Sequence, residues 1–101
     1  VQAGPDRFTP DGAPLRARAK AAAAEDAAGL MHLRVERQTL RLLPATGCVL
    51  FTIRVAIDRL APILMEAQTR AAFIAAWRAA PAHVRAYKRW EALTHLVEAL
   101  L

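Results

Sequence analysis

From Val49 to Ile57 every second residue (Val49, Phe51, Ile53, Val55, Ile57) is β-branched or aromatic, the period of a strand with one buried face. Upstream, Leu33 and Val35 begin a similar alternation, which Arg37, Thr39 and Arg41 continue on the same face. Between the two runs, Leu43-Pro44-Ala45-Thr46-Gly47 carries turn chemistry. The pattern predicts a β-hairpin. Closing it by pairing Leu42 with Cys48 sets Leu33 opposite Ile57, Val35 opposite Val55 and Glu36 opposite Arg54. That register matches apolar to apolar and acid to base. It also puts Arg37 on the face of Leu33, Val35, Phe51 and Ile53, where a partly buried guanidinium needs a carboxylate from elsewhere.

From Pro62 the period becomes helical, with Ile63, Ala67, Arg70, Ile74 and Trp77 in one stripe widened by Phe73. Pro81 interrupts this segment and is placed to open a second helix. A last helix is expected with Trp90, Leu93, Val97 and Leu100 along one face and Glu91 and Glu98 turned away. Upstream of the hairpin, residues 15–29 read as an alanine-rich helix with Pro14 at its start and Gly29 at its end. Its arginines and lysine sit at the positive end of the helix dipole and its acids at the negative end, so it is expected to be marginal. Residues 1–14, with three prolines and two glycines, read as an irregular arm. Residues 30–101 then form hairpin plus C-terminal helices, an α+β unit. A lone two-stranded hairpin is barely stable in water, so this unit is expected to be part of one larger domain.

Composition narrows the picture. One hundred and one residues allow one modest core. Much of the 55% hydrophobic content is alanine, so Phe8, Phe51, Phe73, Trp77, Tyr87 and Trp90 are expected to anchor the packing, chiefly in the second half. The formal charge of +5 is diffuse and dominated by arginine, which suits bidentate pairing with carboxylates. The single cysteine, Cys48, excludes an internal disulfide and a cysteine-based zinc site. No apolar run has the length of a membrane span, and no signal-peptide pattern is seen. A soluble protein of a reducing compartment, the cytoplasm, is expected. The chain opens on Val1 rather than methionine and is expected to be cut from something longer.

Candidate chemistry is sparse. Glu36 and Arg54 form an expected cross-strand pair, which on a solvated face contributes under ~1 kcal/mol. His32, His83 and His95 are not spaced as metal ligands, although any one could be axial to a haem iron. Cys48 reads as a small buried hydrophobe rather than a nucleophile. Arg85, Lys88 and Arg89 around Tyr87 and Trp90 make a basic, aromatic patch. The patch supports an alternative reading, a small basic interaction module for an acidic partner or nucleic acid. Nucleic acid is the less favoured of these partners, because the aromatics fall on helical core positions.

The run Leu33-Arg34-Val35-Glu36-Arg37-Gln38-Thr39-Leu40-Arg41-Leu42-Leu43-Pro44, followed by Val49-Leu50-Phe51-Thr52-Ile53-Arg54, resembles the signature of the haem (heme)-dependent oxidative N-demethylases. These are the dimethylamine monooxygenase-like alpha subunits. Tyr87-Lys88 with its following helix, and Phe8-Thr9-Pro10, are similar to further pieces of that family. The resemblance runs from about Phe8 onward and corresponds to the family's C-terminal portion. It implies a fragment of a PAS-like haem domain and an oxygen-dependent oxidoreductase that removes a methyl group from a secondary amine and releases formaldehyde. It also implies a missing N-terminal portion of the same domain, a reductase subunit with flavin and an iron–sulfur cluster, and tetrahydrofolate as a formaldehyde trap. By the same analogy Glu36 is the candidate catalytic residue, and Arg37 and Arg54 are candidate cofactor-binding residues, with no metal ligand assigned. Leu42, where many relatives have arginine, and Val55-Ala56-Ile57 depart from the family's pattern.

Overall fold

The computed structural model describes all 101 residues. It is an α+β fold built on a three-stranded antiparallel sheet in the order β1-β2-β3: β1 (Gln2–Ala3), β2 (Met31–Leu43) and β3 (Cys48–Arg59). Six helices complete it: α1 (Ala13–Ala21), α2 (Ala27–Leu30), α3 (Leu60–Ile63), α4 (Ala67–Ala79), α5 (Ala82–Lys88) and α6 (Thr94–Glu98). Single 3₁₀ turns at Ala24–Asp26 and Trp90–Ala92 link neighbouring helices.

The hairpin forms, but one residue out of the expected register. Leu43 pairs with Cys48 and the loop holds four residues, so Leu33 faces Asp58, Val35 faces Ala56, Glu36 faces Val55 and Arg37 faces Arg54. The turn decides this. Gly47 takes φ 70°, a conformation that costs a glycine little. That lets the Leu43 carbonyl accept from both Thr46 N (3.2 Å) and Gly47 N (2.9 Å), which draws Leu43 into the ladder. A contact between the Thr39 and Thr52 hydroxyls across the strands marks the same register. Because side chains alternate, one slip moves a whole strand's set to the other face. The first face therefore carries Leu33, Val35, Arg37, Thr39, Arg41 and Leu43 with Asp58, Ala56, Arg54, Thr52, Leu50 and Cys48. On the second, Arg34, Glu36, Gln38, Leu40 and Leu42 lie with Ile57, Val55, Ile53, Phe51 and Val49.

The core sits at the base of the first face. Ala3 and Met31 pack there with Leu60, Leu64, Trp77, Leu93, Leu96 and Val97, and with Ala19 and Ala27 from the N-terminal helices. Of the six aromatics expected to anchor it, only Trp77 is buried. Phe73 and Trp90 pack against the cluster in part, while Phe8, Phe51 and Tyr87 are exposed. Alanine takes their place because close approach of α1 and α2 needs a small side chain, and Ala19 and Ala27 are almost wholly buried. The alanine-rich helix is thus a packed element. Arg18 ties it to the arm through the Ala3 carbonyl and Asp6, each at 3.2 Å. It starts at Ala13 and ends early, at Ala21, where Ala22 turns extended (ψ 142°). The arm is not wholly irregular, since it supplies β1.

The C-terminal helices begin and break where the prolines and caps require. Glu66 caps α4, accepting from Gln68 N (2.9 Å) and Thr69 N (2.5 Å). Pro81 precedes α5. Arg89, with a left-handed φ of 52°, ends α5, and the expected single last helix is divided at Leu93 into the Trp90–Ala92 turn and α6. Glu98, expected to face away, accepts a 2.7 Å hydrogen bond from Trp77 Nε1.

Beyond the core the hairpin stands free. Val35, Leu40, Leu42, Val49, Leu50, Phe51 and Ile53 are all exposed. The total accessible surface is 7029 Å² for 11.0 kDa, against about 5,600 Å² expected of a monomer of that mass. The radius of gyration is 16.1 Å and the long axis 54 Å, where a compact domain of this length has a radius near 13 Å. The outer hairpin holds eight of the eleven large hydrophobic residues left exposed.

Urea titration should separate the two regions. Leu96→Ala is expected to cost about 2–5 kcal/mol, whereas Leu42→Ala should change stability by less than about 0.5 kcal/mol. Gly47→Ala should cost about 1 kcal/mol through its positive φ.

Candidate functional site

Arg37 and Arg54 are directly opposed in the ladder, which places their Cβ atoms about 4.5–5.5 Å apart on the first face. Both are exposed. Neither belongs to an ion pair, the two pairs of the structure being Arg18–Asp6 and Arg34–Glu36. Like charges in opposed positions destabilise a sheet. The pair is therefore unfavourable until an anion lies across it. Val35 and Ala56 flank it on the core side, Thr39 and Thr52 on the tip side, and Arg41 adds a third guanidinium opposite Leu50. Asp58 is the one acid on this face, four residues nearer the base than Arg54.

Glu36 does not join this group. The expected Glu36–Arg54 pair is absent, because the one-residue shift puts Val55 opposite Glu36 and turns Arg54 to the other face. Glu36 instead accepts from Arg34 Nε at 2.8 Å and Gln38 Nε2 at 3.5 Å. Arg34 in turn donates to the Arg7 carbonyl (2.8 Å) and so fastens the arm to the hairpin. The hydrogen bond from Arg34 is the largest influence holding the Glu36 carboxyl below the ordinary glutamate range, with smaller contributions from Gln38 and the charge of Lys88. Glu36 and Arg37, expected to line one pocket, point to opposite faces of the sheet. Arg37 is also not buried as expected, since the helices end before they reach it.

The family is decided by comparison with known proteins. A family model described as haem-dependent oxidative N-demethylase, alpha subunit-like, matches residues 1–98. The chain belongs to that family. No curated protein and no solved structure matched it. For a chain of the haem-dependent oxidative N-demethylase, alpha subunit-like family, the question is what these residues offer a haem. The opposed, uncompensated Arg37 and Arg54 fit the carboxylate edge of a porphyrin, because planar guanidinium forks match carboxylates. The iron is less well served. His32 lies at the base of the second face, with its Nδ1 2.9 Å from the Leu30 carbonyl, and His95 Nε2 sits 3.1 Å from the Ala22 carbonyl. His83 lies on α5. None is on the arginine face. No group of three or more metal-ligating side chains occurs, and no helix is long and apolar enough to cross a membrane.

The remaining candidates also move. Cys48 is exposed at the hairpin turn rather than buried. The basic patch is divided: Arg85 stacks 4.5 Å over Trp77 and donates to the Ala80 and Trp77 carbonyls, which leaves Lys88 beside Tyr87. Sequence reasoning missed one feature, the cavity among Leu33, Arg34, Phe73, Ala76, Trp77 and Trp90. The i, i+4 spacing of Phe73 and Trp77 was its only signal.

An NMR titration should find the Glu36 carboxyl below the ordinary value of about 4.3, returning toward it in Arg34→Gln. The depressed carboxyl contributes stability that is present above that value and lost as pH falls through its own lower one. Glu36→Gln should therefore lower stability slightly at neutral pH, leave it little changed in acid below the depressed value, and so flatten the acid limb of the profile.

Proposed function

We propose that this chain forms one wall of a haem site in an oxidative N-demethylase alpha subunit, with Arg37 and Arg54 holding the haem carboxylates. The observation that carries the reading is the opposed arginine pair, exposed and without counter-charge, in a chain of this family. Arg41, four residues further out along β2 beyond Thr39, is the reserve donor on the same face. Glu36 has a supporting part: held ionised by Arg34, it fixes the arm against the hairpin rather than supplying a proton. Bound haem would supply the activation of dioxygen. The overall change on dimethylamine balances as one dioxygen, two electrons and two protons consumed, with methylamine, formaldehyde and water formed.

The same reading accounts for the uncovered hairpin. Its second face presents Leu40, Leu42, Val49, Phe51 and Ile53 to solvent, and the surplus surface of about 1,400 Å² is of the size that a covering segment buries. A further portion of the same PAS-like domain is the cover in this proposal. A reductase subunit with flavin and an iron–sulfur cluster supplies the electrons, tetrahydrofolate takes up the formaldehyde, and the compartment is the cytoplasm, which suits a lone exposed thiol.

The test uses the full chain, or the longest natural polypeptide that contains it. Added haem should give a Soret band, and Arg37→Ala with Arg54→Ala should weaken haem binding at least tenfold, about 1.4 kcal/mol. Supplied with reductant and dimethylamine, the loaded protein should form formaldehyde. Haem affinity unchanged in the double variant would remove the arginine pair from the site, and the absence of any Soret band would end the reading.

A further inference from the structure

A cavity of about 300 Å³ opens beside the base of β2, where the sheet leaves the helical core, lined by Leu33, Arg34, Phe73, Ala76, Trp77 and Trp90, with Val1 alongside. Its walls are flat and apolar. The Phe73 and Trp77 rings are stacked, 7° from parallel with centroids 6.4 Å apart, and Trp90 tilts against Trp77 at 5.1 Å. This volume lies at the small end of ligand sites, which combine apolar walls with a few fixed polar groups.

The polar group at this cavity is Arg34. Its side chain is about one quarter exposed and is held in place by two bonds, Nε to Glu36 and Nη1 to the Arg7 carbonyl. Nη2 is left without a partner. Of the other charges around these walls, the Val1 α-amino group is held below its ordinary range by burial and by the charge of Lys88, and the side chains are engaged. Glu36 is spent on Arg34, Glu98 accepts from Trp77 Nε1, and Arg85 covers Trp77. Lys88 adds positive charge close enough to be felt at Glu36. Cations exceed anions around an aromatic slot, which disfavours an amine and favours an acid with a flat body.

We infer that this cavity is a binding site for a planar aromatic carboxylate of one or two rings, its ring against Phe73 and Trp90 and its carboxylate on Arg34. The site is separate from the Arg37–Arg54 pair. Leu33 is four residues before Arg37 on the same strand, a rise of roughly 13 Å, so a ligand this small cannot span both.

The experiment titrates 2-naphthoate and its neutral counterpart 2-naphthylmethanol into the full chain, following the Trp77 and Trp90 indole N–H signals by NMR. The naphthoate should bind at least tenfold more tightly. Arg34→Gln should erase that preference while Arg34→Lys retains part of it. Ala76→Phe, which fills the cavity from a partly exposed helix position without emptying the core, should abolish binding of both compounds. Arg37→Ala with Arg54→Ala should leave the naphthoate affinity unchanged, so that the outcome is independent of the haem reading. Equal affinity for acid and alcohol, binding that survives Ala76→Phe, binding lost in the Arg37/Arg54 variant, or no binding up to millimolar naphthoate would each overturn the assignment.

Discussion

The four-residue turn that brings Leu43 against Cys48 governs the rest of this molecule. A hairpin's register is a parity choice. With Gly47 in the left-handed region and the Leu43 carbonyl taking two amide hydrogens, every odd residue of β2 is committed to the face that the helices cover at its base. Met31 and Ala3 enter the core by that choice, and Arg37 and Arg54 meet each other by it. Had the loop closed on five residues, Glu36 would have faced Arg54 and the two arginines would not have been opposed.

The two faces carry different kinds of unfinished business. The first is cationic in its middle and gives way to the helical core at its base. On the second, Arg34 and Glu36 offset each other, Arg59 opposite His32 at the base is the remaining charge, and the outer half is apolar and bare. Charge without a counter-charge and hydrocarbon without a cover are both unfavourable in water. In the proposed reading an anionic cofactor edge answers the first and a covering segment the second.

Packing at the base works on a different principle from the one aromatic content suggests. Ala3, Ala19 and Ala27 are almost wholly buried, so the arm and the first helices lie close against the sheet and the large rings are displaced toward the rim. There Trp77, Trp90 and Phe73 leave the cavity that Arg34 borders. The alanines let the elements close around Met31, Leu60, Leu96 and Val97, while Phe73 and Trp90 sit at the boundary.

Local chemistry made much of this legible from residues alone. The alternation of Val49, Phe51, Ile53, Val55 and Ile57 specified a strand, Pro81 a helix break, and the run Leu33–Pro44 the family. These depend on neighbours within a few positions, which a linear reading contains. Register, face and burial depend on long-range closure. Gly47's positive φ moved Glu36 away from Arg54, Arg89's left-handed turn closed α5 just before Trp90, and Ala19 became a core residue only because β1 lay beside it. A single peptide's torsion decides such matters, and its effect is felt across the sheet rather than along the chain. Sequence thus determined the hairpin, the helix break at Pro81 and the family. Tertiary structure decided which side chains share a face, because parity in a hairpin is set by its turn and not by the pattern of the strands it joins.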